Sequence, residues 1–224
     1  DGRILLPELH VDIPGDRRAE AAATASELPD SVADSLPFAG TTRPMVDDAA
    51  EQLLARTWHP TVSYTGIDGL PPTGRSGNVL RPTTAVALSF RLPPTCDHVA
   101  ALAAIEAAVL ADPPSGAVVR FERALSAPGW NAPSFAPWLL EALDAASHQV
   151  FGRAARTFGE GGTIPFMGML GDMFPDAQFV ITGVLGPGSN AHGPNEFLDL
   201  AMARKLTTCI TRLLGAHAAS APAA

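Results

Sequence analysis

Proline interrupts this chain wherever an element begins to lengthen. The 224 residues carry 21 prolines and 20 glycines, and a proline inside a helix or a central strand removes an amide donor and clashes with the turn before it. Such a sequence builds short, often broken elements. Its apolar content is still 46%, against 17% charged residues, which is enough for a real core and excludes wholesale disorder. At this length the material makes one large domain or two small ones.

The charge balance narrows the partners. Fifteen basic against 23 acidic residues leave a net charge of −8 with neutral histidines, and the basic residues are scattered instead of gathered into a stripe. Phosphate backbones are repelled by such a surface, so nucleic acid is excluded as a partner. No apolar run approaches the roughly 20 residues that span a bilayer, so no membrane is expected either. Cys96 and Cys209 stand in apolar helical patterns without a CxxC or CxxH neighbour, which favours packing roles and gives no sign of an oxidising compartment. A cytoplasmic protein is expected. The first residue is Asp1, and no charged segment followed by an apolar one marks a secretory signal. The chain is expected to be processed or to belong to something longer.

Residues 1–15 read as an extended lead-in broken by Pro7 and Pro14. One helix is predicted near 16–28 and a second from Val46 to Trp58, with Asp47 and Asp48 in its first turn, where the helix dipole favours anions. Thr61 to Ile67 and Thr83 to Leu92 alternate as strands, the latter with Ala85, Ala87, Ser89 and Arg91 on one face. Thr95 and Asp97 can cap a helix bearing Val99, Leu102, Ile105 and Val109, which Pro113 ends. Ala117 to Leu125 reads as a further strand. The order helix, strand, strand, helix, strand predicts a split βαβ unit, a small open sheet with helices on one face.

Pro, Gly and Ala crowd residues 126–137, and the pattern changes there. Beyond lie a helix over Trp138 to Phe151, an apolar helix near Pro165 to Phe174, and a buried type of strand over Ala177 to Leu185. A last helix is capped by Asp199, with Met202, Leu206, Ile210, Leu213 and Leu214 as its apolar face. The tail from Ala216 to Ala224 is expected to fray.

Much chemistry is absent. Gly186, Gly188 and Ala191 fit a dinucleotide GxGxxA pattern, but Pro194 stands where the cofactor helix should form and no second strand brings an acidic residue. Neither Ser76 nor Ser189 lies in GxSxG, and no Walker A sequence occurs. Two glycine-rich loops remain: Gly159 to Pro165, GEGGTIP, and Gly186 to Glu196, GPGSNAHGPNE. Glycines let a backbone approach a ligand and offer free N–H groups, and the first loop also opens a helix. His192 stands in the second loop without a bulky neighbour. It suits a metal ligand or a general base, or an ordinary polar loop residue.

At these loops the sequence resembles the dinuclear zinc aminoacylase and carboxypeptidase-type metallopeptidases, which include carnosinase-like dipeptidases and succinyl-diaminopimelate desuccinylases. GEGGTIP is similar to that family's EGGSIP loop, and AHGPNE to its HSPNE loop. Upstream, GNVLRPTTAVALSFRLPP over Gly77 to Pro94 resembles the family's NVIP segment and the strand ending in RLVP. The three motifs occur in the family's order.

The resemblance implies an α/β architecture: a split βαβ, ferredoxin-like lid and dimerisation domain over 1–130, N-terminally incomplete, and over 131–224 the C-terminal portion of a zinc-peptidase catalytic domain. It implies His192 as a zinc ligand, Asn78 and Arg91 as lid residues reaching substrate, and Gly161, Gly162 and Thr163 as the loop around the substrate's carboxylate end. No catalytic residue of the family has a counterpart in this chain: the HxD motif, the bridging aspartate and the paired glutamates are not found. Two zinc ions are implied for the intact enzyme, not stably bound by this chain alone. A peptide or N-acyl amino acid is the implied substrate and a homodimer through the lid the implied assembly. Gly159 departs from the arginine that dipeptidases often carry before EGG. The competing expectation is a non-catalytic dimerisation or binding module derived from the same family.

Overall fold

The computed structural model describes residues 2–28, 38–160, 165–186 and 188–220. The chain forms two units, one of Asp1–Asn131 with Thr157–Leu170, the other of Ala132–Arg156 with Gly171–Ala224.

In the first unit, helix α1 spans Gly15–Glu27 and α2 spans Ala49–Thr57. Asp48 caps α2 by accepting the Glu51 amide at 2.8 Å, which satisfies one of the donors a helix start leaves open. The two helices bury Ala21 and Ala25 against Leu53, Leu54 and Trp58, with Val11 and Ile13 of the lead-in packed on this cluster. Strands β1, Thr61–Asp68, and β2, Ala85–Arg91, form an antiparallel ladder from Thr61 opposite Arg91 to Asp68 opposite Ala85, with an irregularity between Tyr64 and Gly66. Helix α3, His98–Ala111, starts on Asp97, whose carboxylate accepts the Val99 and Ala100 amides at 2.9 and 3.0 Å.

The packing of α3 departs from its expected face. Val99 is 64% exposed and Val109 42%, whereas Ala101 and Ile105 are buried with Leu9 and Cys96. Nearly every residue of α3 is apolar, so periodicity marks no single stripe; the side that packs is the one covered by the lead-in, where Leu9 in the short turn Pro7–Leu9 is fully buried.

The second unit rests on α4, Pro137–Phe151, and α6, Leu200–Ser220. Proline at the first position starts α4, where its missing amide costs nothing, and Gly152 ends it at φ 74°, a conformation glycine adopts without strain. Asp199 caps α6 as expected, accepting the Ala201 and Met202 amides at 2.8 and 3.0 Å. The Trp138 ring lies tilted by 52° against His217, with ring centroids 5.4 Å apart, and Lys205 lies over the Phe151 ring at 5.3 Å. The start of α4 therefore meets the end of α6, and the pair is antiparallel. Leu139, Ala146, Cys209 and Leu213 are buried, each large aliphatic chain contributing about 1.5–3 kcal/mol. Leu214, expected inside, is 66% exposed; Cys209 takes the inward position. The expected fraying is corrected for residues 216–220, which continue α6; residues 221–224 lie outside the described residues. Helix α5, Pro165–Met173, spans the boundary between the units.

Two expected strands lack a ladder. Among the described residues the sheet has two strands, β1 and β2. Residues 117–125 carry a positive φ of 56° at Arg123, which interrupts any extended run, and Val118 and Leu125 are 82% and 90% exposed. Residues 177–185 have no hydrogen-bonded neighbour strand among the described residues. A strand exists through its partner, and among the described residues none is placed beside either segment.

Candidate functional site

Each loop singled out by sequence belongs to a different unit, and each is built by close approach of backbone to side chain. In the loop 186–197, a Cβ on Gly186 would lie 2.4 Å from the Asp199 Cβ, and one on Gly193 would lie 2.6 Å from the Asn190 amide. Asn190, His192 and Asn195 adopt φ of 54°, 60° and 58°, a region open to asparagine and histidine more readily than to bulkier residues. Three backbone bonds close the turn: Ser189 N to Gly186 O at 3.2 Å, Gly193 N to Asn190 O at 2.9 Å, and Phe197 N to Ser189 O at 3.1 Å. The Asn190 side-chain amide donates to the Pro194 carbonyl at 2.6 Å.

His192 is exposed, and its backbone amide donates to the Glu196 carboxylate at 3.0 Å. Its ring makes no hydrogen bond to any described residue. Glu196 also lines an open hollow of roughly 440 Å³ with Val184, Leu185, Phe197 and Leu198. Sequence reasoning missed Glu196, whose place four residues after His192 in the same loop is the signal for this contact. The Ser189 hydroxyl is buried and has no hydrogen-bond partner among the described residues.

In the first unit, Arg91 ends β2 opposite Thr61 and is exposed, and Asn78 is exposed ahead of β2. Of the GEGGTIP loop, Gly159 and Glu160 are described; Gly161, Gly162 and Thr163 lie outside the described residues. Glu160 pairs with Arg56 at 3.5 Å. A Cβ on Gly159 would meet the Thr57 Cγ2 at 2.9 Å. A side chain at 159 would therefore fit only if Thr57 of α2 shifted. Sequence reasoning missed Thr24, Glu20 and Thr157, which tie the approach to this loop onto α1: Thr24 Oγ1 donates to the Thr157 carbonyl at 2.6 Å, and Thr157 Oγ1 bonds to the Glu20 carboxylate.

No family model matches the chain. The solved metallo-carboxypeptidase of the M20 family from Sulfolobus solfataricus superposes with a TM-score of 0.69 at 20% identity, covering 95% of this chain and 48% of that one. The dipeptidase Dug1p of Saccharomyces cerevisiae gives 0.66 at 18%, covering 99% and 46%, and human carnosine dipeptidase 1 gives 0.66 at 17%, covering 97% and 46%. The fold is that of the C-terminal part of these metallopeptidases. A cysteinylglycine-S-conjugate dipeptidase of Corynebacterium striatum is 28% identical to this chain over 163 residues, which is 68% of the chain and 33% of that protein. The chain thus spans a third of that curated relative and under half of each solved structure. The two-stranded antiparallel sheet fits a partial lid.

Zinc, which the resemblance implies, finds one candidate ligand in His192. Among the described residues no group of three or more His, Cys, Asp or Glu side chains is placed to hold a metal ion. Catalytic zinc takes three protein ligands and structural zinc four, so the described residues do not complete a zinc site. No described helix is long and apolar enough to cross a membrane.

Proposed function

We propose that this chain is the C-terminal part of a zinc-dependent metallopeptidase or amidohydrolase that cleaves dipeptides or N-acyl amino acids. Residues 1–130 serve as its lid and dimerisation domain and 131–224 as a portion of its catalytic domain. His192 contributes one ligand to a two-zinc centre whose other ligands and water-activating glutamate come from outside these residues. Arg91 is suited to a substrate carboxylate and Asn78 to a carbonyl or developing oxyanion; Gly161, Gly162 and Thr163 hold the substrate's carboxylate end. The chain by itself hydrolyses neither substrate class. The intact protein is a homodimer through the lid and works in the cytoplasm, where the free thiols of Cys96 and Cys209 stay reduced.

The observation that carries this reading is His192, exposed on a left-handed backbone with its amide held by Glu196 and its ring unpartnered among the described residues. The test is metal analysis of the protein in which this chain follows a segment with the HxD motif and paired glutamates. Two zinc ions per chain are expected, falling to about one in His192→Ala, with activity reduced at least about 100-fold. Unchanged zinc content would overturn the assignment, and zinc-dependent turnover by the pure 224-residue chain would overturn its inactivity.

A second reading, a non-catalytic dimerisation module, draws on the exposed β1–β2 ladder, where Tyr64 is 79% and Ile67 55% exposed. Sheet edges and faces of this kind are commonly covered by a second copy. Light scattering that shows a dimer of a protein without hydrolytic activity favours it.

A further inference from the structure

Threonines in the helices of this chain mostly turn their hydroxyls back on their own helix. Thr57, Thr207, Thr208 and Thr211 each donate to the carbonyl four residues earlier at 2.8–3.0 Å. Thr24 in α1 does not. It is 1% exposed, and its hydroxyl reaches across 133 positions of sequence to the Thr157 carbonyl at 2.6 Å. A buried hydroxyl that forgoes its local partner holds whatever it bonds to, because separation would leave both groups buried and unsatisfied.

The segment after Thr157 is fastened at successive points. Thr157 Oγ1 bonds to the Glu20 carboxylate, one turn of α1 from Thr24. Glu20 is in turn fixed by Arg17 Nη1 at 3.2 Å, with side chains only 22% and 16% exposed. Two residues on, Gly159 lies flush against Thr57 of α2, with no room for a side chain. The exposed Arg56–Glu160 pair adds little to this, as surface pairs do. The backbone is therefore laid across α1 and α2 immediately before residues 161–163.

We propose that Thr24 and Glu20 are positioning residues: acting through Thr157, they fasten residues 157–160, the approach to the GEGGTIP motif, and thereby support binding of the carboxylate end of a peptide or N-acyl amino acid. This rests on the assignment of that loop to substrate under the proposed function. Positioning of this kind stabilises bound substrate without touching the reacting atoms.

The test uses the intact protein in two arms. In hydrogen exchange, Thr24→Val, which keeps the volume and loses the hydroxyl, should raise exchange in a peptide covering 153–160 at least tenfold and leave α4 and α6 unchanged, while Thr24→Ser behaves as wild type. Glu20→Ala, on a partly exposed side chain, should act in the same direction if Thr24→Val folds poorly. In kinetics with a dipeptide, Thr24→Val should raise KM about tenfold at nearly constant kcat, and Thr24→Ser should restore KM. Unchanged exchange at 153–160, or a KM that does not move when exchange does, overturns the proposal. If wild type neither turns over nor binds dipeptides, the peptidase reading falls, and with it the loop's substrate role; the exchange arm still decides whether the clasp holds the segment.

Discussion

The Cβ of Asp199 occupies the space that any side chain at Gly186 would need: an added Cβ there would lie 2.4 Å from it. The same aspartate caps α6. The start of the His192 loop and the start of the last helix are thereby set by one contact.

Gly186→Ala should therefore cost about 1–3 kcal/mol, the range for forcing extra atoms into an occupied site, and a further part of about 1 kcal/mol if the Asp199 cap is displaced. Chemical denaturation checks this. Gly183→Ala, where an added Cβ meets nothing within 4 Å, is the control and should be nearly neutral.

The Asp97 carboxylate accepts the Ala100 and Val99 amides, and these bonds hold its pKa below the ordinary value of 3.8. Between those two values the unfolded chain binds more protons, so stability rises with pH there. The contribution is complete above 3.8 and is lost as pH falls through the folded value. Asp97→Asn should keep a capping oxygen yet flatten this part of the acid limb, as thermal melts between pH 2 and pH 5, a range bracketing the carboxylate titration, can show.

Burial pushes the thiols of Cys96 and Cys209 above their ordinary value of 9.0, the first helped by the nearby Asp97 charge. The unfolded chain loses these protons first, so stability should fall as pH climbs from 9.0 toward the folded values. At neutral pH both thiols should react with a disulfide reagent only as fast as the chain opens. Rapid labelling of either cysteine in the native state would contradict this.

In the intact protein, Arg91→Ala should lower kcat/KM by about 10- to 150-fold, the equivalent of roughly 1.5–3 kcal/mol for a charge-assisted contact. The melting temperature should stay in place. A shift in melting temperature with unchanged kinetics would mark Arg91 as a structural residue at the end of β2.

Elements whose signals are local were legible. Asp97 and Asp199 cap their helices at the positions read from sequence, and α4 ends at Phe151 as expected. Asp48 proved to be the cap of α2 where a first-turn place was expected. What depended on distant partners was not legible. Residues 117–125 and 177–185 have strand composition, but no strand among the described residues pairs with them to make a ladder. The buried side of α3 was chosen by Leu9, some 90 residues upstream, which no periodicity within the helix could report. The loops around Gly159 and His192 stood out as glycine-rich. Their fastenings did not, because Thr24 and Thr157 are joined by contact across 133 positions.

The path of the chain carries a consequence for anyone dividing it. It leaves the first unit at Asn131, returns at Thr157 and leaves again after Leu170, within α5. A single cut after Asn131 would strand residues 157–170 on the wrong polypeptide and strip Thr24 of its partner. No one junction yields two self-sufficient pieces, so a gene split, a fusion or a swap between relatives must carry all three crossings together.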